Sequence, residues 1–199
     1  MMGKLYVIVG KSASGKDTLE KKIRDDKSLG LRHIVPYTTR PIREGEKDGV
    51  DYHFCTVRQF WQMTEAKKII EYRTYNTVFG EWIYFTADDG QIDLNSHSSI
   101  VVGTLVSLKE FTKYFGREKV VPIYIEVEDG ERLQRALNRE KHQKNPKYSE
   151  LCRRFLADQE DFSEENLLKA GVIHRFENID TTRTAAEIAE FIKGDMNGH

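Results

Sequence analysis

The sequence lacks the features of membrane proteins, of secreted proteins and of proteins that bind polyanions over their whole surface. It has no apolar run of the roughly 18 residues that a membrane-spanning helix needs, and no signal-peptide core. Its two cysteines, Cys55 and Cys152, stand alone without metal-site spacing, which is typical of a reducing compartment. Because 31 Lys and Arg residues face 32 Asp and Glu residues, any basic cluster must be local. We therefore expect a soluble, cytoplasmic protein that binds neither membranes nor nucleic acids.

The chain also lacks internal repeats, low-complexity tracts and flexible linkers. With 199 residues, of which 39% are hydrophobic, it is long enough to build one core of ordinary size. We therefore expect a single domain, with or without inserted lobes. The sequence makes no prediction about the oligomeric state.

The most informative stretch lies near the start of the chain. The apolar, β-prone run Leu5–Val9 is followed by Gly10, by four further residues and then by Gly15-Lys16. The pattern G-x-x-x-x-G-K between a strand and a helix is typical of a loop that binds nucleotide phosphates. Glycines let backbone N–H groups turn toward phosphate oxygens, and the positive end of the following helix attracts the same anion. The sequence therefore predicts a nucleotide-binding loop in which Lys16 reaches the outer phosphates.

The residue after this lysine departs from the usual pattern. Ser or Thr normally stands there and offers its hydroxyl to Mg²⁺. This chain has Asp17 at that position, and the hydroxyl comes one residue later, at Thr18. Both residues are candidates for metal ligands.

Strands that alternate with helices predict an α/β fold. The buried runs Ser99–Val102 and Val120–Val127 each lead into a helix, as the first strand does. Such units build a parallel sheet wrapped by helices. A last strand over Val172–Phe176 is followed by Asn178 and an amphipathic helix that reaches about Lys193.

Two features between these strands have an ordinary interpretation and a functional one. The segment Tyr37–Phe54 is charged and poor in apolar residues, so its composition favours a solvated loop. However, Arg40 and Arg43 can also hold a dianionic phosphate through bidentate hydrogen bonds. Glu71 lies within an apolar strand, Lys68–Tyr75, where a lone glutamate usually faces water. A carboxylate at a cleft can instead accept the adjacent N1–H and N2–H₂ donors of guanine, which adenine lacks.

Two later helices, predicted over residues 129–141 and 148–162, are rich in arginine. Their arginines are Arg132, Arg135, Arg139, Arg153 and Arg154. At about 100° per residue, the first three lie within about 60° of one another, opposite Leu133 and Leu137. Such a stripe usually faces solvent. Two helices that close over a phosphate-binding loop would instead form a lid, which brings cations to a transferring phosphoryl group.

Together, these motifs resemble the guanylate kinase family of nucleoside monophosphate kinases, and the resemblance spans nearly the whole chain. Residues 38–54 are similar to the family signature T-T-R-x-P-R-x-G-E-x-x-G-x-D-Y-x-F, with Arg43 as its second arginine and the proline one place earlier, at Pro41. Ile70-Glu71 resembles the F-x-E strand of the family, and Val172 to Asn178 resembles its last strand. The two lid elements of the family resemble Arg135 with Arg139 and Arg153-Arg154-Phe155-Leu156.

The resemblance implies a P-loop NTPase-type parallel sheet flanked by helices, with two mobile inserts. The core would comprise residues 1–35, 99–137 and 156–193 of a single domain. An acceptor-binding lobe would span about 36–90, and a helical lid about 138–155. The implied reaction is ATP-dependent and Mg²⁺-dependent phosphorylation of a nucleoside monophosphate, most readily GMP, in purine nucleotide metabolism.

The resemblance also implies roles for individual residues. ATP would be held by Gly10, Ser12, Ala13, Ser14, Gly15, Lys16, Asp17, Thr18 and Asn178. GMP would be bound by Thr39, Arg40, Arg43, Tyr52, Glu71, Tyr84 and Thr86. Catalysis would depend on Lys16, Arg135, Arg139 and Arg154. The Y-Y-G-[ST] segment of the family corresponds either to Phe79-Gly80 or to Tyr84-Phe85-Thr86, and we favour the second.

The sequence departs from the family pattern around the acceptor. Pro36 replaces a serine, and Gly103-Thr104-Leu105 replaces an acidic D-x-D. Candidates to replace these acids are Asp17, Asp88, Asp89 and Asp93. Two alternatives to a GMP kinase therefore stay open. The first alternative is a P-loop kinase for another phosphorylated acceptor, and the second is a non-catalytic guanylate-kinase-like binding module.

Overall fold

The computed structural model describes residues 3–43, 45–77 and 80–198. The strands in these residues are β1 (Leu5–Val9), β2 (Arg32–His33), β3 (Tyr37–Thr38), β4 (His53–Phe54), β5 (Ile69–Thr77), β6 (Gly80–Ala87), β7 (Ser99–Val102), β8 (Val120–Glu126) and β9 (His174–Glu177). The helices are α1 (Lys16–Asp25), α2 (Val57–Glu65), α3 (Leu105–Phe115), α4 (Asp129–Lys141), α5 (Tyr148–Asp161), α6 (Glu164–Lys169) and α7 (Thr181–Asn197), and a 3₁₀ turn spans Lys27–Leu29.

The larger sheet has five parallel strands in the order β2-β7-β1-β8-β9. Its central strand β1 is buried over all five residues, as expected for a strand covered on both faces. Alternate residues of β1 point to opposite faces. Leu5, Val7 and Val9 join the apolar cluster that contains α3, whereas Tyr6 and Ile8 join the one that contains α1 and α7. The predicted parallel sheet flanked by helices is therefore confirmed.

A second, smaller sheet has four strands in the order β4-β3-β6-β5. It is built around the antiparallel pair β5–β6, whose register matches Glu71 with Thr86 and Arg73 with Tyr84. Helix α2 packs on this sheet and contributes Phe60 to a separate small core. A capping box fixes the start of α2, because the Thr56 hydroxyl accepts the Gln59 N–H and the Gln59 side chain accepts the Thr56 N–H.

Two predictions about local structure need correction. The charged segment 37–54 is not a plain loop, because it begins with β3 and ends with β4, which pair in parallel. The predicted strand Lys68–Tyr75 ends too early, because β5 continues to Thr77. Phe79, one of the two candidates for a family contact, lies outside the described residues. Among the helices described, none is both long and apolar enough to cross a membrane.

Candidate functional site

The loop between β1 and α1 is shaped by positions that admit no side chain. A Cβ at Gly10 would lie 2.8 Å from the carbonyl oxygen of Ile125 on the neighbouring strand. A Cβ at Gly15 would lie 2.5 Å from Nδ2 of Asn178, and Gly15 has φ of 84°. Ala13 has φ of 63°, a left-handed conformation that is uncommon for residues with a side chain. The loop is therefore held tightly, at the sheet edge where ligands bind in parallel α/β folds.

Asn178 braces this loop from the end of β9. It is 1% exposed, and its Nδ2 donates a hydrogen bond to the carbonyl oxygen of Ser14 at 2.8 Å. Arg135 on α4 donates in turn from Nη2 to the carbonyl oxygen of Asn178 at 3.0 Å, and from Nε to Glu131. The structure thus brings together three of the predicted site residues on one side of the loop.

A cleft of about 760 Å³ separates the loop from the second sheet. The core side of the cleft includes Lys16, Asp17, Gly103 and Thr104. The opposite side includes Tyr52, Arg73 and Tyr84, and α5 contributes Arg153 and Arg154. The cleft therefore has the end of the β1–α1 loop on one side, an aromatic and charged sheet on the other, and cations beside both.

Arg40, a predicted phosphate ligand, is already paired within the protein. Its side chain is 2% exposed, and Nη1 and Nη2 donate to the two carboxylate oxygens of Glu46 at 2.7 and 2.5 Å. These hydrogen bonds hold the pKa of Glu46 below its usual range. The guanidinium lies 4.9 Å from the centre of the Tyr52 ring. Arg43 is exposed; its backbone N–H donates to the Glu46 carboxylate, and its carbonyl oxygen accepts the Glu46 N–H.

Glu71 lies on strand β5 of the smaller sheet. It is 3% exposed, and its Oε1 accepts a hydrogen bond from the Thr86 hydroxyl at 2.9 Å. Burial raises the pKa of the Glu71 carboxyl, and the charge of Arg73 opposes this effect. Thr86 therefore contacts Glu71 rather than the cleft. Thr39 also serves the sheet, because its hydroxyl accepts the Ile83 N–H.

The predicted lid arginines lie in different environments. Arg154 lines the cleft and is half-buried, 3.7 Å from Glu150. Arg153 pairs with the same carboxylate at the cleft edge. Arg139, on α4, is exposed. Of the three predicted catalytic arginines, Arg154 is therefore the one that faces the cleft.

Arg132 is buried, although helical periodicity places it on the same face as the other arginines of its helix. The predicted face puts Arg132 with Arg135 and Arg139, opposite Leu133 and Leu137. In the structure, Arg132 is 1% exposed, whereas Leu133 is 38% exposed. The face of α4 that turns toward the protein thus carries a buried arginine rather than a leucine, and the prediction of one solvated or lid-forming stripe is wrong for Arg132.

The partners of Arg132 explain its burial. Its Nη1 donates to the carbonyl oxygen of Ser12 at 3.2 Å and to Oδ2 of Asp158 at 3.0 Å. Its Nε and Nη2 donate to Oδ1 of Asp129. The same Oδ2 of Asp158 accepts the Ser12 N–H at 2.7 Å. These four residues, the Arg132 cluster, join the phosphate loop to α4 and α5. Periodicity cannot reveal the cluster, because Ser12 and Asp158 are distant in sequence from Arg132.

Five acidic residues line the cleft, namely Asp17, Glu20, Glu46, Asp51 and Glu150, and of these Asp17 directly follows the loop lysine. Asp17 lines the cleft, whereas Thr18 is exposed and is not one of the lining residues. Asp88 and Asp89 accept hydrogen bonds from the hydroxyls of Tyr114 and Tyr37, and neither aspartate lines the cleft. Within residues 3–43, 45–77 and 80–198, no group of three His, Cys, Asp or Glu side chains is placed to hold a metal. Mg²⁺ often takes only one or two carboxylates and completes its shell with phosphates and water, so Asp17 fits such a role.

Comparison with known proteins adds a family and a fold. Residues 2–87 match the sequence model of the family described as guanylate kinase. The chain is similar in structure to the guanylate kinase of Anaplasma phagocytophilum, with a TM-score of 0.66 and 23% sequence identity over 98% of this chain and 86% of that one. At this identity the structural likeness shows a shared fold.

Proposed function

We propose that this chain, which matches the guanylate kinase family model over residues 2–87 and shares the fold of a guanylate kinase, is a nucleoside monophosphate kinase that transfers the γ-phosphoryl group of ATP to GMP. One observation carries the proposal. The loop that requires Gly10 and Gly15 faces the smaller sheet across one cleft, and this sheet carries the buried carboxylate of Glu71. We assign the acceptor half to the lobe at about 36–90 and the lid to about 138–155.

The donor half would hold ATP through the loop from Gly10 to Thr18. The N-terminus of α1 and the Lys16 ammonium offer positive charge to the outer phosphates. Asp17 would contribute one carboxylate oxygen to Mg²⁺, and this ion, when bound, neutralises charge on the β- and γ-phosphates. Asn178 and Arg135 would keep the loop in shape from its far side.

The acceptor half requires an exchange of partners at Arg40. In the free protein, its guanidinium is neutralised by Glu46. A bound 5′-phosphate offers the same fork geometry with more charge, so it can replace Glu46. Arg43 is exposed and free to turn toward the same phosphate, and Tyr52 lines this side of the cleft. Glu71 would accept the N1–H and N2–H₂ groups of guanine.

The reaction would be an in-line displacement. An oxygen of the GMP phosphate attacks the γ-phosphorus of ATP, the bond from that phosphorus to the β–γ bridging oxygen breaks, and ADP leaves. No general base is needed, because the attacking phosphate is ionised at neutral pH. Arg154 faces the cleft and would stabilise charge on the transferring group. Closure of the lid would exclude water and so limit hydrolysis of ATP.

The residues that line the cleft also support a second candidate function, in which the acceptor is not GMP. Pro36 and Gly103 both line the cleft, and neither side chain can hydrogen-bond to a base. A kinase for another phosphorylated acceptor on the same scaffold is therefore the alternative. The third candidate, a binding module without activity, is disfavoured because the glycines and lysine of the loop are present.

A coupled assay of ADP formation with GMP, dGMP, AMP, UMP and CMP tests the proposal. We expect turnover with GMP and dGMP and only background with the others. Turnover with a different monophosphate would establish the second candidate. If calorimetry with Mg²⁺ shows no binding of ATP or of any monophosphate, the chain is a binding module for something else.

A further inference from the structure

We propose that Arg73 is a second base-reading residue, which donates hydrogen bonds to O6 of guanine while Glu71 accepts from N1–H and N2–H₂. The inference rests on the proposed function, because it assumes that the acceptor is GMP. It names a specificity-determining residue that the sequence patterns do not single out.

The strand geometry places Arg73 beside Glu71 on the cleft side of the sheet. Residues two apart in a strand share a face, so Glu71, Arg73 and Tyr75 point the same way. Arg73 and Tyr75 both line the cleft. Glu71 is more deeply buried and is not among the lining residues, so Arg73 is the one of these two neighbouring charges that faces the cleft.

The contact between Arg73 and Glu71 leaves one donor and one acceptor without a hydrogen bond. Arg73 Nε lies 3.2 Å from Oε2 of Glu71, with side chains 20% and 1% exposed. The geometry is that of an ion pair without a hydrogen bond, because neither Nε nor Oε2 has a hydrogen-bond partner among the described residues. Oε1 is the oxygen that accepts from Thr86. Unpaired buried polar atoms are rare in native proteins, and a ligand that supplies both a donor and an acceptor would satisfy this pair.

Guanine is such a ligand. Its edge presents the acceptor O6 next to the donors N1–H and N2–H₂. A carboxylate alone satisfies only the two donors and leaves O6 unpaired in a buried site, which is unfavourable. An arginine next to that carboxylate supplies donors for O6 and also balances the buried negative charge. The adenine edge, with a donor at position 6 and an acceptor at position 1, meets like groups on both residues.

The test compares substrates that differ at one atom. 6-Thio-GMP keeps N1–H and N2–H₂ but replaces O6 with sulfur, a weak acceptor. IMP keeps O6 and N1–H but lacks N2–H₂. In the wild type, kcat/KM should favour GMP over each analogue by about tenfold, the size expected when one hydrogen bond to a charged group is lost. In Arg73→Met, the preference over 6-thio-GMP should fall to less than about twofold, while the preference over IMP should persist.

Controls separate base reading from a structural role. Arg58→Met changes an exposed arginine on α2 of the same lobe and should leave all ratios unchanged. Arg73→Lys keeps the charge beside Glu71 and should lower the GMP to 6-thio-GMP ratio by at least about threefold, so it decides the question if Arg73→Met does not fold. A ratio that stays at the wild-type value in the folded variant overturns the inference, whatever happens to kcat. A wild type that does not phosphorylate GMP overturns the proposed function and this inference with it.

Discussion

Loss of the Asp158 carboxylate should destabilise the protein strongly, because this group is the centre of the Arg132 cluster. Asp158 accepts one hydrogen bond from Arg132 Nη1 and one from the Ser12 N–H. The variant Asp158→Ala removes both acceptors at once. Arg132 is 1% exposed and cannot turn to water, so its charge would be balanced only by Asp129.

The size of the effect follows from these contacts. A hydrogen bond to a charged group contributes about 1.5–3 kcal/mol, and breaking a buried pair costs about 3–5 kcal/mol. Because Asp129 remains, we take the lower end and expect a loss of about 3 kcal/mol in the free energy of unfolding. For a chain of this length, such a loss lowers Tm by about 6–12 °C. Because Ser12 belongs to the phosphate loop, the same variant should also raise the KM for ATP.

Thermal and urea denaturation followed by circular dichroism measure the effect. Arg153→Ala is the matched control, since Arg153 on α5 is 65% exposed and its pair with Glu150 should contribute less than about 1 kcal/mol. A double-mutant cycle of Arg132→Met and Asp158→Ala should give a coupling energy of about 1.5 kcal/mol or more. A loss below about 1 kcal/mol in Asp158→Ala, with additive single variants, would refute the reasoning.

Three further predictions concern activity. Lys16→Ala should abolish nearly all ADP formation because the charge on the outer phosphates is no longer neutralised; wild-type turnover would show that the loop does not hold ATP. Glu71→Gln replaces an acceptor with a donor that faces a guanine donor, so the KM for GMP should rise by about tenfold or more with kcat little changed, and unaltered kinetics would place base recognition elsewhere. Burial raises the pKa of Glu71, so its protonation begins above the usual glutamate range near about 4.3. The GMP phosphate, whose second pKa is about 6, titrates in both proteins, so the KM for GMP should rise more steeply with falling pH in the wild type than in Glu71→Gln, and parallel profiles would exclude Glu71 as the titrating group.

The tight loop between β1 and α1 and the parallel sheet were predictable from the sequence because their determinants are local. A buried strand, two glycines and a lysine at fixed spacing describe one continuous turn of chain. The structure adds why Gly10 and Gly15 are required, because it shows the Ile125 carbonyl and Asn178 pressed against them. The roles assigned to the individual loop residues stay predictions.

The acceptor side was predictable in outline only. The charged segment indicated Arg40 as a phosphate ligand, and the strand pattern drew attention to Glu71. The pairing of Arg40 with Glu46 could not be predicted, because sequence spacing does not show which carboxylate pairs with a buried guanidinium in the folded protein. The sequence does not single out Arg73, because the base-reading role proposed for Arg73 depends on the burial of Glu71 beside it.

The sequence by itself determined the order of strands and helices, the glycine-containing loop after the first strand and the family resemblance, because periodicity and short motifs are properties of neighbouring residues. Only the tertiary structure decided which side chains are buried and what they meet. Arg132 is the clearest case. Its helix predicts an exposed stripe, yet Ser12 and Asp158 draw it inside. A buried charge is stable only with its partners in place, and those partners come from parts of the chain that folding alone brings together.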